Sequence, residues 1–159
     1  MIIRNLNVFS QNVWKNNLLT NTILEAQINF DIIFIQELSW SIIRSIPSSS
    51  NKEEKELVGI LNHPNWITFS RNLTNSQDLL RVIIYINIRI SSLCFFLFKD
   101  ILDHRDISSI SFFNCGSIYS IMNVYLDSSQ MALKYFKNTE ANINNILIMI
   151  GDFNIRDSS

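Results

Sequence analysis

"ILIMIGDFN", Ile146 to Asn154, decides how the whole chain is read. Its first five residues are apolar without interruption, the length of a strand and the composition of one covered on both faces. The run stops at Gly151, and Asp152 and Asn154 follow at once. A carboxylate and an amide just past a strand are ordinary turn residues when they stand alone. They gain weight when other strands of the same chain end in the same way.

Working outward, they do. Ile2 to Val8 has the length and apolar content of a strand, and "SQN" (Ser10–Asn12) follows it. "DIIFIQE" (Asp31–Glu37) is an apolar run closed by Gln36 and Glu37. "DISSISFF" and "SIYSIMNVYL" flank "NCG", a hairpin pattern, and the second strand closes on Asn123 and Tyr125.

Between these ends, Leu19, Ile23, Ala26 and Phe30 recur at helical spacing, predicting an amphipathic helix over 17–30. A strand, a crossover helix and a second strand make a βαβ-like opening unit. Ser45–Lys55 is the most polar stretch and reads as a loop, followed by a short helix ending before Pro64. "WITFS" (Trp66–Ser70) reads as a short strand. Val82, Ile84, Ile86, Ile88 and Ile90 alternate with a more mixed set, predicting a strand over 81–90 with one face more buried. "DSSQ" offers N-cap residues for a helix from Met131 to about Ile143. The expected architecture is one α+β domain over residues 1–159, with two mixed sheets packed together and flanked by helices.

Composition bounds the chemistry. With 159 residues, 47% hydrophobic and 17% charged, the chain is long enough and apolar enough for one globular core. Its formal net charge of −1 shows no basic surplus, which argues neither for nucleic acid as a partner nor strongly against it. Cys94 and Cys115 have no second cysteine or histidine at ligand spacing, so zinc is not expected and isolated thiols fit an intracellular protein. No basic start precedes a long apolar stretch, and no apolar run is long enough to cross a bilayer. The expectation is a soluble intracellular protein, nuclear or cytoplasmic, with no membrane association and no stable protein partner.

If the strand ends meet on one rim, they supply two carboxylates, Glu37 and Asp152, the amides Asn12, Asn123 and Asn154, and the Tyr125 phenol. Carboxylates with amide oxygens and waters are hard ligands suited to Mg²⁺ or Mn²⁺. A carboxylate can also orient or deprotonate an attacking water, while amides and a phenol hold phosphate oxygens. Such a set suits metal-assisted hydrolysis of a phosphate ester.

In order and together, "NVFSQNVWKN", "FDIIFIQELSW", "IMNVYLDSSQMAL" and "ILIMIGDFNIRD" resemble the endonuclease/exonuclease/phosphatase superfamily. Within it, the chain is most similar to the apurinic-type endonuclease domains of non-LTR retroelements, and "HPNW", "RVIIYIN" and "DHRDI" agree. The resemblance implies a deoxyribonuclease I-like sandwich and Mg²⁺-dependent (or Mn²⁺-dependent) cleavage of phosphodiester bonds in DNA. It implies Glu37 as metal ligand and Asn12 beside the metal and the scissile phosphate. Tyr125 would contact the phosphate or assist the leaving group. Asp152 would position and activate water, and Asn154 would orient that aspartate and the phosphate.

The family completes its site with a Ser-Asp-His element on later strands, which this sequence does not carry up to Ser159. His63 and His104 match no family position for it. The expectation is therefore an incomplete domain, marginally folded and feebly active or inactive. Two alternatives stand beside the nuclease: a phosphatase or phosphodiesterase of the same superfamily, and a non-catalytic remnant.

Overall fold

A computed structural model describes residues 5–39, 44–47, 55–70, 80–93, 104–114, 116–139 and 146–154. Cys94 and Cys115 lie outside them.

The chain opens with β1 (Val8–Asn12), α1 (Asn17–Ala26) and β2 (Ile32–Gln36), then the short strands β3 (Arg44–Pro47), β4 (Lys55–Val58) and β5 (Trp66–Phe69). It continues with β6 (Val82–Asn87), a 3₁₀ segment (Ile88–Leu93), the hairpin β7 (Ile107–Asn114) and β8 (Ser117–Tyr125), α2 (Met131–Asn138) and β9 (Ile146–Asp152). The first sheet runs β1-β2-β6-β5 and the second β7-β8-β9, while β3 and β4 pair apart from both. β1 lies parallel to β2 and β8 parallel to β9, and the remaining pairings are antiparallel.

Side-chain alternation sorts the core into layers. Ile33 and Ile35 of β2 and Ile83 and Tyr85 of β6 face one way, onto Ile23 and Leu24 of α1 and onto Trp66. Ile32, Phe34, Ile84 and Ile86 face the other way, onto Ile110, Phe112 and Ile121 of the second sheet. The far side of that sheet, with Ile107, Met122 and Val124, packs on Ala132 of α2. The result is helix, sheet, sheet, helix: the expected α+β sandwich of two packed mixed sheets.

Several boundaries differ from the sequence reading. β1 starts at Val8, its ladder with β2 running from Val8↔Ile32 to Asn12↔Gln36, and the expected start at Ile2 lies outside the described residues. Asn12 is thus the last residue of the strand rather than part of a following loop. α1 ends at Ala26, which frees Phe30 to pack edge-on against Phe9 with ring centroids 5.4 Å apart. The helix expected before Pro64 is absent: Lys55–Val58 is a strand paired with Arg44–Pro47, and Gly59 turns the chain with φ +87°. The polar stretch read as a loop therefore begins and ends in strands.

β6 is buried on both faces, not one, and stops at Asn87. There the Asn87 side chain turns inward to donate to the carbonyls of Ile28 and Phe30. α2 ends at Asn138, and residues 140–145 lie outside the described set. Its N-cap position is Gln130 in a left-handed conformation with no side-chain cap bond, since Asp127 spends its carboxylate on Ser129 and Arg81. β9 is not the fully buried strand its composition predicts. Among the described residues it pairs with β8 alone, and Leu147, Ile148 and Met149 are 56%, 42% and 39% exposed.

Candidate active site

Four strand ends build the rim. Parallel pairing sends the C-terminal ends of β1 and β2 to the same edge of the first sheet, and those of β8 and β9 to the same edge of the second. Packing the sheets brings the two edges together. Asn12 Nδ2 donates to Asp152 Oδ2 at 2.8 Å, and the Tyr125 hydroxyl donates to Glu37 Oε1. Tyr125 and Asp152 are register partners on β8 and β9. Asn154 donates its backbone N–H to Asp152 Oδ1 at 3.1 Å and its side-chain amide to the Leu126 carbonyl at 2.8 Å. All the predicted site residues, Asn12, Glu37, Tyr125, Asp152 and Asn154, thus share one rim.

Local backbone explains how the side chains are presented. Among the described residues, the non-glycine positions with left-handed φ are Trp14, Lys15, Glu37, Gln130 and Asn154. Each follows directly on a strand that ends at the rim or sits in the loop beside it. Such conformations persist only where surrounding bonds enforce them. At Glu37 the enforcement is visible: Lys15 N–H donates to its carbonyl at 2.7 Å, and the next amide, Leu38 N–H, donates to the Arg81 carbonyl at 3.2 Å. Asn12 Oδ1 accepts from Trp14 N–H at 2.9 Å, so both ends of that amide are fixed.

One layer below the rim lies a buried polar cluster. Gln36 Nε2 donates to Asn123 Oδ1 at 2.7 Å and to Ser10 Oγ at 3.0 Å. Asn123 Nδ2 donates across the sheets to the carbonyls of Ile35 and Ile83, both at 3.0 Å. Asn123 was expected at the rim; the structure puts it wholly inside, where it joins the two sheets.

A third group was not singled out in the sequence. The Arg81 guanidinium donates to both oxygens of the buried Asp106 and to Asp127 Oδ2, and its carbon lies 5.0 Å from the centre of the Tyr125 ring. Burial opposes the Arg81 charge, but the bonds and charges of Asp106 and Asp127 outweigh it, so its pKa is raised. Burial, and next the bond to Glu37, raise the Tyr125 phenol, which stays protonated. Burial works against the Asp127 carboxylate, yet its bonds to Ser129 and Arg81 bring it down to about 2. The sequence signals for this group were the stretches "RVIIYIN", "DHRDI" and "IMNVYLDSSQMAL", which carry Arg81, Asp106 and Asp127 at strand ends, where charged residues are too common to pick out singly. Beside it, Tyr125, Asp127, Ser128, Gln130 and Asn154 line an open cleft of about 450 Å³.

His63 Nδ1 accepts from Asn65 N–H, and His104 Nδ1 accepts from Asp106 N–H while its ring lies 5.1 Å from that of Tyr135. Among the described residues, no three His, Cys, Asp or Glu side chains gather as a cation cage. Mg²⁺ does not need one: one or two carboxylates suffice, with water and substrate phosphate completing the shell. The hard oxygen donors of Glu37 and Asp152, on one rim, fit that requirement. No helix among the described residues is long and apolar enough to cross a membrane.

No protein-family model and no curated protein matches the chain. Among solved structures it is similar to the endonuclease domain of TRAS1, a telomere-specific non-LTR retrotransposon. The TM-score is 0.61 at 14% identity, over 96% of this chain and 60% of that one. A humanized D. rerio TDP2 carrying 14 mutations aligns with TM-score 0.44 and 16% identity, over 96% and 63% respectively. The chain therefore spans less than two thirds of the length of either structure. At such identity the likeness to the TRAS1 domain bears on architecture alone, and with the strand order above it settles one point: the chain has the deoxyribonuclease I-like fold.

Proposed function

We propose that the chain is a divalent-metal-dependent phosphodiesterase of the endonuclease type, acting on DNA. The observation that carries this reading is the pair of cross-sheet bonds, Asn12 to Asp152 and Tyr125 to Glu37, which gather two carboxylates, an amide and a phenol on one rim. Glu37 and Asp152 would hold Mg²⁺ or Mn²⁺. When bound, the ion supplies neutralisation of phosphate charge and a more acidic water.

The chain's own groups divide the remaining work. Asp152, fixed by Asn12 Nδ2 and by the Asn154 N–H, is oriented to take a proton from the attacking water. The side-chain amides of Asn12 and Asn154 each carry a second N–H beyond the one already committed, and these reach for phosphate oxygens. Tyr125, kept neutral, donates a hydrogen bond where negative charge develops on the phosphate or the leaving oxygen.

The test is nicking of supercoiled plasmid by the purified chain with Mg²⁺ or Mn²⁺, beside calorimetric titration of Mn²⁺. Metal-dependent nicking that falls about 100-fold or more in Asp152→Ala, with Mn²⁺ binding weakened in Glu37→Gln, is the expected result. Turnover of inositol phosphates in place of DNA would transfer the site to the phosphatase alternative. Neither nicking nor Mn²⁺ binding would leave only the remnant reading.

A further inference from the structure

We propose that Arg81 is a positioning residue for this site: pinned by Asp106 and Asp127, its guanidinium holds the Tyr125 ring where the hydroxyl meets Glu37. The functional consequence rests on the phosphodiesterase reading; the geometric claim does not.

Arg81 stands immediately before β6, the strand between β2 and β5 in the first sheet. Its backbone grips the Glu37 segment, because its carbonyl accepts from Leu38 N–H at 3.2 Å. Its side chain grips the Tyr125 segment twice. The guanidinium lies against the ring face at 5.0 Å, and it holds Asp106, whose own carbonyl accepts from Tyr125 N–H at 2.9 Å. One residue thus touches Tyr125 itself, in the second sheet, and Leu38, the neighbour of Glu37, at the end of a strand of the first.

The same guanidinium reaches Asp127 Oδ2 at 2.8 Å, and Asp127 accepts from both the N–H and the hydroxyl of Ser129. Asp127 and Ser128 line the cleft together with Tyr125 and Asn154. Holding Asp127 therefore fixes one wall of that cleft as well as the ring. This grip needs the planar fork. Nε and Nη2 take the two Asp106 oxygens, Nη2 also reaches Asp127, and the guanidinium carbon lies over the phenol ring; a lysine ammonium cannot meet all of these partners at once. Asp106 is fully buried, so some cation is required for stability alone. Geometry, not charge, is what the proposal adds.

The experiment compares wild type, Arg81→Lys and Arg81→Met by ¹H–¹³C correlation spectra of tyrosine-labelled protein, with Tyr125 assigned through Tyr125→Phe. In Arg81→Lys, which keeps the charge, the Tyr125 ring signals should move as they do in Arg81→Met while those of Tyr85 stay in place. Nicking by Arg81→Lys should lose about 10- to 100-fold in kcat with KM within about threefold of wild type. Where Arg81→Met does not fold, Asp127→Asn replaces it and should move the same Tyr125 signals by a smaller amount. Tyr125 signals unchanged in a folded Arg81→Lys, or full nicking by that variant, would overturn the proposal. A wild type that never nicks counts against the phosphodiesterase reading alone, since the ring signals still decide the role of Arg81.

Discussion

Asn12 donates its side-chain amide to Asp152 Oδ2 at 2.8 Å, tying the end of β1 to the end of β9 across 140 residues of chain. No local signal relates these two positions; the bond exists because two parallel pairs end at one edge of the sandwich. It also restricts what Asp152 can do, since one carboxylate oxygen is held by Asn12 and the other by the Asn154 amide.

Removing that restraint should be visible in both rate and stability. Asn12→Ala takes away a hydrogen bond to a carboxylate, which contributes about 2 kcal/mol. Urea unfolding should show that loss, and metal-dependent nicking should fall about 10- to 100-fold as Asp152 gains rotational freedom. Wild-type turnover in a folded Asn12→Ala would remove Asn12 from the site.

The Gln36–Asn123 pair makes a purely structural prediction. Asn123→Leu keeps the volume but strands the Ile35 and Ile83 carbonyls and the Gln36 amide that Asn123 now satisfies. Unsatisfied buried groups cost roughly 1–3 kcal/mol each, so the single variant should lose about 3 kcal/mol or more. The double variant Gln36→Leu/Asn123→Leu should lose less than the sum of its parts, because one change removes a partner that the other had already orphaned. Strict additivity in urea titrations would argue against a shared network.

Gly151 is fixed by space. A Cβ built on it would stand 1.7 Å from the Val124 carbonyl oxygen, on the parallel partner strand. Gly151→Ala should therefore cost about 3 kcal/mol or more, above the usual range for overpacking because the clash is with backbone. Since Gly151 precedes Asp152 directly, the variant should also lose Mn²⁺ binding. A fold and metal affinity like those of wild type would contradict the β8–β9 register.

Asp127 predicts an acid-limb effect of definite sign. Its pKa is depressed from 3.8 to about 2, so its stabilising contribution is fully present above pH 3.8 and is lost as pH falls through about 2. The groups facing it are Arg81, which stays charged throughout, and Ser129, which does not titrate here. The stability gap between wild type and Asp127→Asn should be constant above about pH 4 and should close toward pH 2. A gap that persists unchanged at pH 2 would mean that it does not come from the ionised Asp127 carboxyl and its bonds to Ser129 and Arg81.

The sequence by itself determined which residues leave their strands as polar tips. The period-two and continuous apolar runs place Ile32–Gln36 and Val82–Asn87 in the core and leave Glu37 half-buried just beyond it, because burial is set by side-chain periodicity within a few residues. Together with the family resemblance carried by four ordered segments, that was enough to name Asn12, Glu37, Tyr125, Asp152 and Asn154 and the sandwich that holds them. The short helix expected before Pro64 was misjudged, because pairing of Lys55–Val58 with Arg44–Pro47 made a strand there. Periodicity also misjudged β9, whose Leu147, Ile148 and Met149 are part-exposed at the edge of the described second sheet. Tertiary structure alone decided which tip meets which: that Asn12 faces Asp152, that Tyr125 faces Glu37, that Asn123 is buried between the sheets, and that Arg81 lies over Tyr125. Those contacts join residues 44 to 140 positions apart, and such pairings follow from sheet order and sheet-on-sheet packing, which no window of local sequence encodes.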